Sequence, residues 1–248
     1  MTASHPARLH WLDPRRPDQP FPDPALALPD PNGLLAIGGD LSVTRLLNAY
    51  RDGIFPWFNP DEPILWWSPD PRCVFTPGAV QVSRSLAKRR RQGGYAVCFN
   101  RAFDEVLDAC AGPRRSGRGT WLGPEMRAAY LELHRRGLAH SVEVWREQRL
   151  VGGLYGVALG RMFFGESMFS AVPDSSKLAL VHLAAQLADW GFPLIDCQVS
   201  SPHLLRLGAT TLSREAFREA SRQAQQLVAP TRWQFDVRHS GDAAHGPG

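Results

Sequence analysis

The sequence has no apolar run approaching the roughly 18 residues that a membrane-spanning helix needs, so no membrane association is expected. Its start, MTASHPARLHWLDPRR, lacks the apolar stretch of a secretory leader, and a cytoplasmic protein is expected. Cysteine is scarce: Cys73, Cys98, Cys110 and Cys197 are the four. None forms a C-x-x-C pair and no Cys/His group has zinc spacing. Neither a disulfide framework nor a metal site is therefore expected, and the thiols are read as reduced and mostly buried. The glycines of LVGGLYGVALG do not make G-x-G-x-x-G after a strand, which argues against a dinucleotide loop. GESMFS holds half of a hydrolase G-x-S-x-G around Ser167, but Phe169 stands where the second glycine belongs, and no His and acid partners follow in register. His134, His140, His182 and His203 have no ligand spacing and read as packing or surface residues. There is no internal repeat.

What is present is ordinary in bulk. The 248 residues suffice for one large domain or two smaller ones. The 44% hydrophobic and 21% charged content matches a soluble globular chain. Lys and Arg number 28 against 24 Asp and Glu, a net charge of +4. That small excess is clustered. SRSLAKRRRQGG carries Arg84, Lys88, Arg89, Arg90 and Arg91; PRRSGRGTW carries Arg114, Arg115 and Arg118; LHRRG carries Arg135 and Arg136. Such clusters bind phosphates, or simply solvate a helix face.

Residues 13–31 are proline-rich and read as extended. DPNGLLAIGGDLS reads as turns around a short strand. SVTRLLNAYRDG has helical spacing, with Ser42 as cap and Gly53 as stop. Short strands and loops follow, closing a small N-terminal α/β domain over residues 1–70. Residues 71–238 read as one α/β domain: the amphipathic helix PEMRAAYLELHRRG, a meander of SVEVW, LVGGLYGVALG and RMFFGESMFS, then the helix SKLALVHLAAQLADW between Asp174 or Ser175 and Gly191. The strand LIDCQV, a helical turn and a last helix SREAFREASRQAQQL complete it. Residues 239–248 are expected to be a disordered tail. Strands in a row, then helix, strand, helix, predict an α+β mixed sheet with helices on its faces, an order similar to the GNAT acetyltransferase fold. Acetyl-CoA enzymes of that fold cradle pyrophosphate in a glycine-containing loop before the crossover helix. Here that segment is AVPDSSKLAL, without glycine. The scaffold is expected without the usual acyl donor.

LIDCQV sets an acid, a thiol and an amide between apolar residues. A strand sends alternate side chains to opposite faces. Asp196 and Gln198 would then share one face, while Cys197 would point away with Ile195 and Val199.

NGLLAIGGDLS, GIFPWF, ILWWSPDPR, GTW, AHSVEVW, LVGGLYGV, FFGESMFS, SSKLAL and LIDCQV occur in this order. As a series they resemble the leucyl/phenylalanyl-tRNA–protein transferases, over about residues 20–220. The resemblance implies an aminoacyltransferase with a small N-terminal domain and a GNAT-like catalytic domain. It implies transfer of Leu, Phe or Met from aminoacyl-tRNA to an N-terminal Arg or Lys of a protein, marking it for N-end rule degradation. It implies no cofactor, no metal and a monomer. Trp57 and Trp121 match positions near the terminal adenosine, and aromatic faces stack on bases for about 1–3 kcal/mol each. Met162, Phe163, Leu183 and Leu187 would line the pocket for the transferred side chain. Tyr50, Tyr130, Leu154 and Ile195 join them as substrate-binding positions, with Leu154 standing where the family often has Met. The basic clusters, Lys88, Arg89, Arg90, Arg91, Arg114, Arg115 and Arg118, would meet the tRNA. Asp196, Gln198 and Glu166 would form the catalytic set: Asp196 an electrostatic anchor, Gln198 an acceptor that orients the attacking amine, Glu166 a binder of one amino group. Two other readings stay open at this point, a GNAT-like acyltransferase with another activated donor and a non-catalytic RNA-binding protein.

Overall fold

The computed structural model describes residues 9–112 and 122–236. β1 (His10–Leu12) and β2 (Leu34–Gly38) pair in parallel, and α1 (Val43–Arg51) leads from β2 to β3 (Phe55–Pro56) and β4 (Leu65–Trp67). These strands form a four-stranded sheet in the order β1-β2-β4-β3. Ser42 caps α1 by accepting from the Arg45 N–H, and Gly53 follows its end at φ 72°. The proline-rich segment before β2 is held from outside itself. Arg45, fully buried on α1, donates to Gln19 O at 2.7 Å, Asp13 O at 3.2 Å and Arg16 O.

β5 (Arg72–Phe75), α2 (Arg84–Gln92), β6 (Ala96–Phe99), α3 (Phe103–Ala111) and α4 (Pro124–Arg135) precede the meander β7 (Ala139–Arg146), β8 (Arg149–Leu159) and β9 (Met162–Ser170). α5 (Ser175–Asp189) crosses to β10 (Leu194–Asp196), and α6 (Pro202–Arg206), β11 (Thr210–Leu212) and α7 (Arg214–Gln225) follow. The resulting sheet has seven strands in the order β11-β5-β10-β9-β8-β7-β6. Its neighbours are antiparallel except β9 and β10, the pair that α5 connects. A parallel pair needs such a crossover, because its strands must start from the same end.

Period-2 alternation divides the side chains between two cores. Val74, Met162 and Phe164 face one side; Cys73, Phe75 and Phe163 face the other, under α5. The sheets change between Trp67 and Arg72, yet the first core runs across that point: Leu46, Tyr50 and Trp66 share it with Tyr130, Phe164 and Phe217. On the second side Trp233 and Phe235 pack against Phe99, and Trp233 stacks on His140 at 3.7 Å. Burial pushes the His140 pKa down to about 3, so it packs as a neutral ring. The expected tail at residues 239–248 lies outside the described residues. No helix among the described residues is long and apolar enough to cross a membrane.

One irregularity positions chemistry. Tyr155 pairs with Ser167, but Gly156 pairs with Gly165, which leaves Glu166 as an extra residue on β9. Such a bulge disturbs the ladder and re-aims a side chain. Gly156 is required beside it, because a Cβ there would fall 2.3 Å from Phe164 O.

Candidate active site

Beyond Phe164 and Asp196, β9 and β10 no longer pair. Two cavities lie where they part. The first, of about 270 Å³, is mainly apolar, with Phe75, Leu154, Phe163, Leu180, Leu183 and Ile195 in its wall. The second, of about 290 Å³, is bounded by Phe55, Pro56, Trp57 and Val199. They adjoin, since Glu166, Cys197 and Gln198 line both. No group of His, Cys, Asp and Glu that could hold a metal ion occurs among the described residues.

Glu166 reaches this junction because of the bulge. Tyr50 from α1 donates to its Oε1 at 2.8 Å, and Tyr130 from α4 donates to its Oε2 at 2.6 Å. Burial pushes its pKa up to about 7, against those two hydrogen bonds, and the Asp196 charge adds to the rise. Near neutrality it therefore exists in both protonation states, whereas an ordinary Glu is fully charged. The folding consequence has a sign. Below the ordinary value of 4.5 both folded and unfolded states carry the proton. Between 4.5 and about 7 the unfolded chain ionises first, so the stability that the shift supplies is lost as pH rises, and it is gone above about 7. Glu166→Gln removes that dependence. The variant should gain melting temperature relative to the parent between about pH 5 and about pH 8; a constant difference across that range would contradict the shift.

Asp196 stands behind the junction rather than in it. It is fully buried and held by Arg72, whose Nε donates to Oδ1 at 2.8 Å and Nη2 to Oδ2 at 2.6 Å. The Arg72 guanidinium also donates to Gly53 O at 3.0 Å and lies between the rings of Phe55 and Phe217, 4.8 and 4.5 Å from their centroids. Asp196 Oδ1 accepts one more bond, from the Gln198 backbone N–H at 3.0 Å. Gln198 in turn donates from Nε2 to Gly165 O at 2.8 Å. A carbonyl accepts and cannot donate, so this contact fixes which end of the amide is which. Oε1, the other end, has no protein partner among the described residues and is free to accept from a substrate.

This corrects the alternation expected for LIDCQV. The strand ends at Asp196, and Gln198 takes a left-handed backbone, φ 56°. The side-chain period is lost there, so Asp196 turns into the protein while Cys197 and Gln198 both line the cavities. Burial, and then the Asp196 charge, push the Cys197 thiol well above its ordinary pKa, which keeps it from acting as a thiolate nucleophile.

Of the expected pocket residues, Leu154, Phe163, Leu183 and Ile195 line the apolar cavity. Met162 and Leu187 do not: both are fully buried, Met162 on the opposite face of β9 from Phe163. Tyr50 and Tyr130 are likewise fully buried and touch Glu166 instead of an open surface. Trp57 is 49% exposed at the edge of the second cavity. Lys88, Arg90 and Arg91 are exposed on α2, whereas Arg89 is tied to Pro173 O at 3.1 Å and to Asp174 at 3.5 Å. Arg135 and Arg136 both pair with Glu132. Trp121, Arg114, Arg115 and Arg118 lie outside the described residues.

Sequence reasoning missed Arg72, Phe75, Met168, Leu180, His203 and Leu204. A signal existed for the first. RCVF puts one cation into an apolar strand, and a buried cation requires an acid partner. The rest read as ordinary core or loop residues.

An apolar chamber adjoining a second one of mixed lining, with a free amide oxygen and a carboxyl at the join, suits a group-transfer enzyme that brings an apolar acyl group to an amine. Sequence comparison makes the family definite. Residues 74–222 match the family model described as leucyl/phenylalanyl-tRNA protein transferase, and residues 39–70 match that of its N-terminal domain. The chain belongs to the leucyl/phenylalanyl-tRNA–protein transferase family. Proteins of that name from Alkalilimnicola ehrlichii and Nitrosomonas europaea are 56% and 55% identical to it. The first alignment covers 92% of this chain and 90% of the relative, the second 90% and 95%. The relative from Thiobacillus denitrificans is 58% identical over 87% of this chain and 95% of its own length. A solved GCN5-related N-acetyltransferase from Kribbella flavida is 14% identical, with a TM-score of 0.38 over 65% of this chain and 57% of that one, too slight a likeness to bear on function.

Proposed function

We propose that this chain transfers leucyl, phenylalanyl or methionyl groups from aminoacyl-tRNA to the α-amine of an N-terminal Arg or Lys, in the cytoplasm, and so marks proteins for the N-end rule route. The observation that carries this reading is the meeting of the two cavities at Glu166 and Gln198. The apolar cavity accepts the donor's side chain. Trp57, exposed at the second cavity, offers a ring face to the terminal adenine.

The reaction forms a C–N bond and breaks the ester C–O bond. The amine attacks the ester carbonyl, and its proton ends on the departing ribose oxygen. A free α-amine has a pKa of about 7.7–8.0, so a useful fraction is neutral near pH 7. The ester is already activated, and alignment is the main requirement, worth about 7–11 kcal/mol in favourable cases. Gln198 Oε1 can accept a hydrogen bond from the amine and aim its lone pair. A neutral carboxamide is too weak a base to keep the proton. Asp196 acts through the Gln198 backbone, as a positioning residue. Glu166 lines both cavities and, when charged, draws the cationic acceptor; hydrogen bonds to charged groups are worth about 1.5–3 kcal/mol.

Labelled leucyl-tRNA, mixed with the protein and a peptide beginning with Arg, should put the label on the peptide's α-amine, and an α-acetylated peptide should take none. Tight RNA binding without label on the free peptide would overturn the reading. Donor choice should follow shape, since a β-branched side chain meets the cavity mouth where Leu, Phe and Met pass. A single methylene is worth only about 1–3 kcal/mol in such a pocket, so steric exclusion must supply the rest. Ile-tRNA and Val-tRNA should transfer poorly; transfer from Ile-tRNA matching that from Leu-tRNA would eliminate this pocket assignment.

A further inference from the structure

The apolar cavity has one polar wall that the transfer chemistry does not use, the open edge of β9. Antiparallel strands bond through alternate residues, and the residues between turn their N–H and C=O to the opposite side. On β8 the even-numbered residues bond toward β7: in continuation of that ladder the Ala158 N–H donates to Leu138 O at 2.8 Å. The odd-numbered ones bond toward β9, where the Ala171 N–H donates to Val151 O at 2.9 Å. Gly153 and Tyr155 therefore exchange bonds with Phe169 and Ser167, their partners in register. Met168, opposite Leu154, turns its N–H and C=O the other way, to the side from which β10 has already departed. Neither group finds a partner among the described residues. The last bond on that edge comes from a side chain, Gln198 Nε2 to Gly165 O at 2.8 Å. Gly165, Glu166, Ser167 and Met168 line the cavity in succession. Side chains alternate between faces, so four consecutive lining residues, one of them glycine, place the edge of the strand itself on the cavity.

Filling this cavity with a purely apolar group would strand the edge without water, and a backbone group left unpaired is costly. The aminoacyl group of the donor avoids that cost. Its amine stands on the carbon that carries the apolar side chain, one bond from the ester carbonyl at the join. A free α-amine is mostly protonated near pH 7 and then has only donors to offer, and the Met168 C=O is an acceptor. We infer that the open edge of β9, at the Met168 C=O, holds the α-amino group of the donor while its side chain fills the cavity. The inference rests on the transfer reading above and gives it a further specificity. A donor whose amine is blocked by a formyl group or a peptide loses both the charge and the room for this bond, so only single, free aminoacyl groups are passed on.

The test uses leucyl-adenosine joined by a stable amide, the same compound with hydrogen in place of the leucyl amine, and its N-formyl derivative. Loss of the amine should weaken binding to the parent protein about 10- to 100-fold, the weight of a hydrogen bond to a charged group. The N-formyl compound should bind at least as poorly. Equal affinity for the three would overturn the inference. Glu166 is the competing partner for the amine, and Glu166→Gln separates the two: the preference for the amine should persist in that variant, and its disappearance would assign the amine to the carboxylate and not to the edge. A direct readout comes from protein labelled with carbonyl-13C methionine and 15N phenylalanine, because Met162 and Met168 alone among the methionines precede a phenylalanine. Met162→Leu identifies the Met168 signal. That signal should move downfield with leucyl-adenosine and much less with the compound lacking the amine, while the Met162 signal stays in place. A Met168 carbonyl indifferent to the amine would also overturn the inference. A parent that binds leucyl-adenosine with this dependence but transfers nothing to an Arg-peptide would refute the transfer reading and leave the edge contact standing.

Discussion

Arg72→Met is expected to lose about 3–5 kcal/mol of folding stability, the usual result of stripping one partner from a buried ion pair. Arg72 and Asp196 are 1% and 0% exposed, and the guanidinium spends its donors on Asp196 and Gly53 O. Methionine fills much of the same space between Phe55 and Phe217 but leaves a carboxylate with no cation. Urea unfolding measures the loss, and a change under about 1 kcal/mol would contradict it. The double variant Arg72→Met/Asp196→Leu separates stability from function. Replacing a whole buried pair by apolar residues is often neutral or stabilising, so much of the lost stability should return. Activity should not return, because the Gln198 N–H has then lost the carboxylate that orients it.

Gln198→Ala should lower kcat about 10- to 100-fold, the kinetic equivalent of about 1.5–3 kcal/mol for a hydrogen bond to a reacting group. The KM for the donor should change little, since the apolar wall is untouched. Gln198→Glu should be no better. One carboxylate oxygen would face Gly165 O, where the amide now donates at 2.8 Å, and it would have no proton to offer. Raising the pH deprotonates the amine but does not restore that donor. Recovery of Gln198→Glu to parental rate at high pH would show that the tether to Gly165 is dispensable.

The meander, the crossover helix and the cap of α1 were legible because hydrophobic period and punctuation encode them locally; at α5 the expected cap Asp174 marks the start but makes no capping bond, its carboxylate accepting from Lys177 instead. The motif series likewise singled out Gln198 and Glu166, which the fold brings to the join of the two cavities. Other features have no local code. The strand at LIDCQV stops one residue before Cys197 because Gln198 adopts a left-handed backbone, which period cannot foresee. Arg72 and Asp196 are 124 residues apart, and Tyr50 is 116 from Glu166, so their pairing waits on the fold. Met162 and Phe163 are adjacent and equally apolar. Only the register of β9 decides that Phe163 lines the cavity and Met162 does not.

The proposed function divides the site, with the donor's side chain in the apolar cavity and the acceptor's amine at the join. Met168 is partly buried and lines the apolar cavity without touching the second one. Steady-state kinetics of Met168→Trp, with donor and acceptor varied separately, tests the division most directly. Filling that space should raise the KM for Phe-tRNA at least about tenfold, a cost of about 1.4 kcal/mol, with a smaller rise for Leu-tRNA. The KM for an Arg-peptide should stay at the parental value. A raised KM for the peptide with unchanged KM values for both tRNAs would contradict the account, because the apolar cavity would then belong to the acceptor.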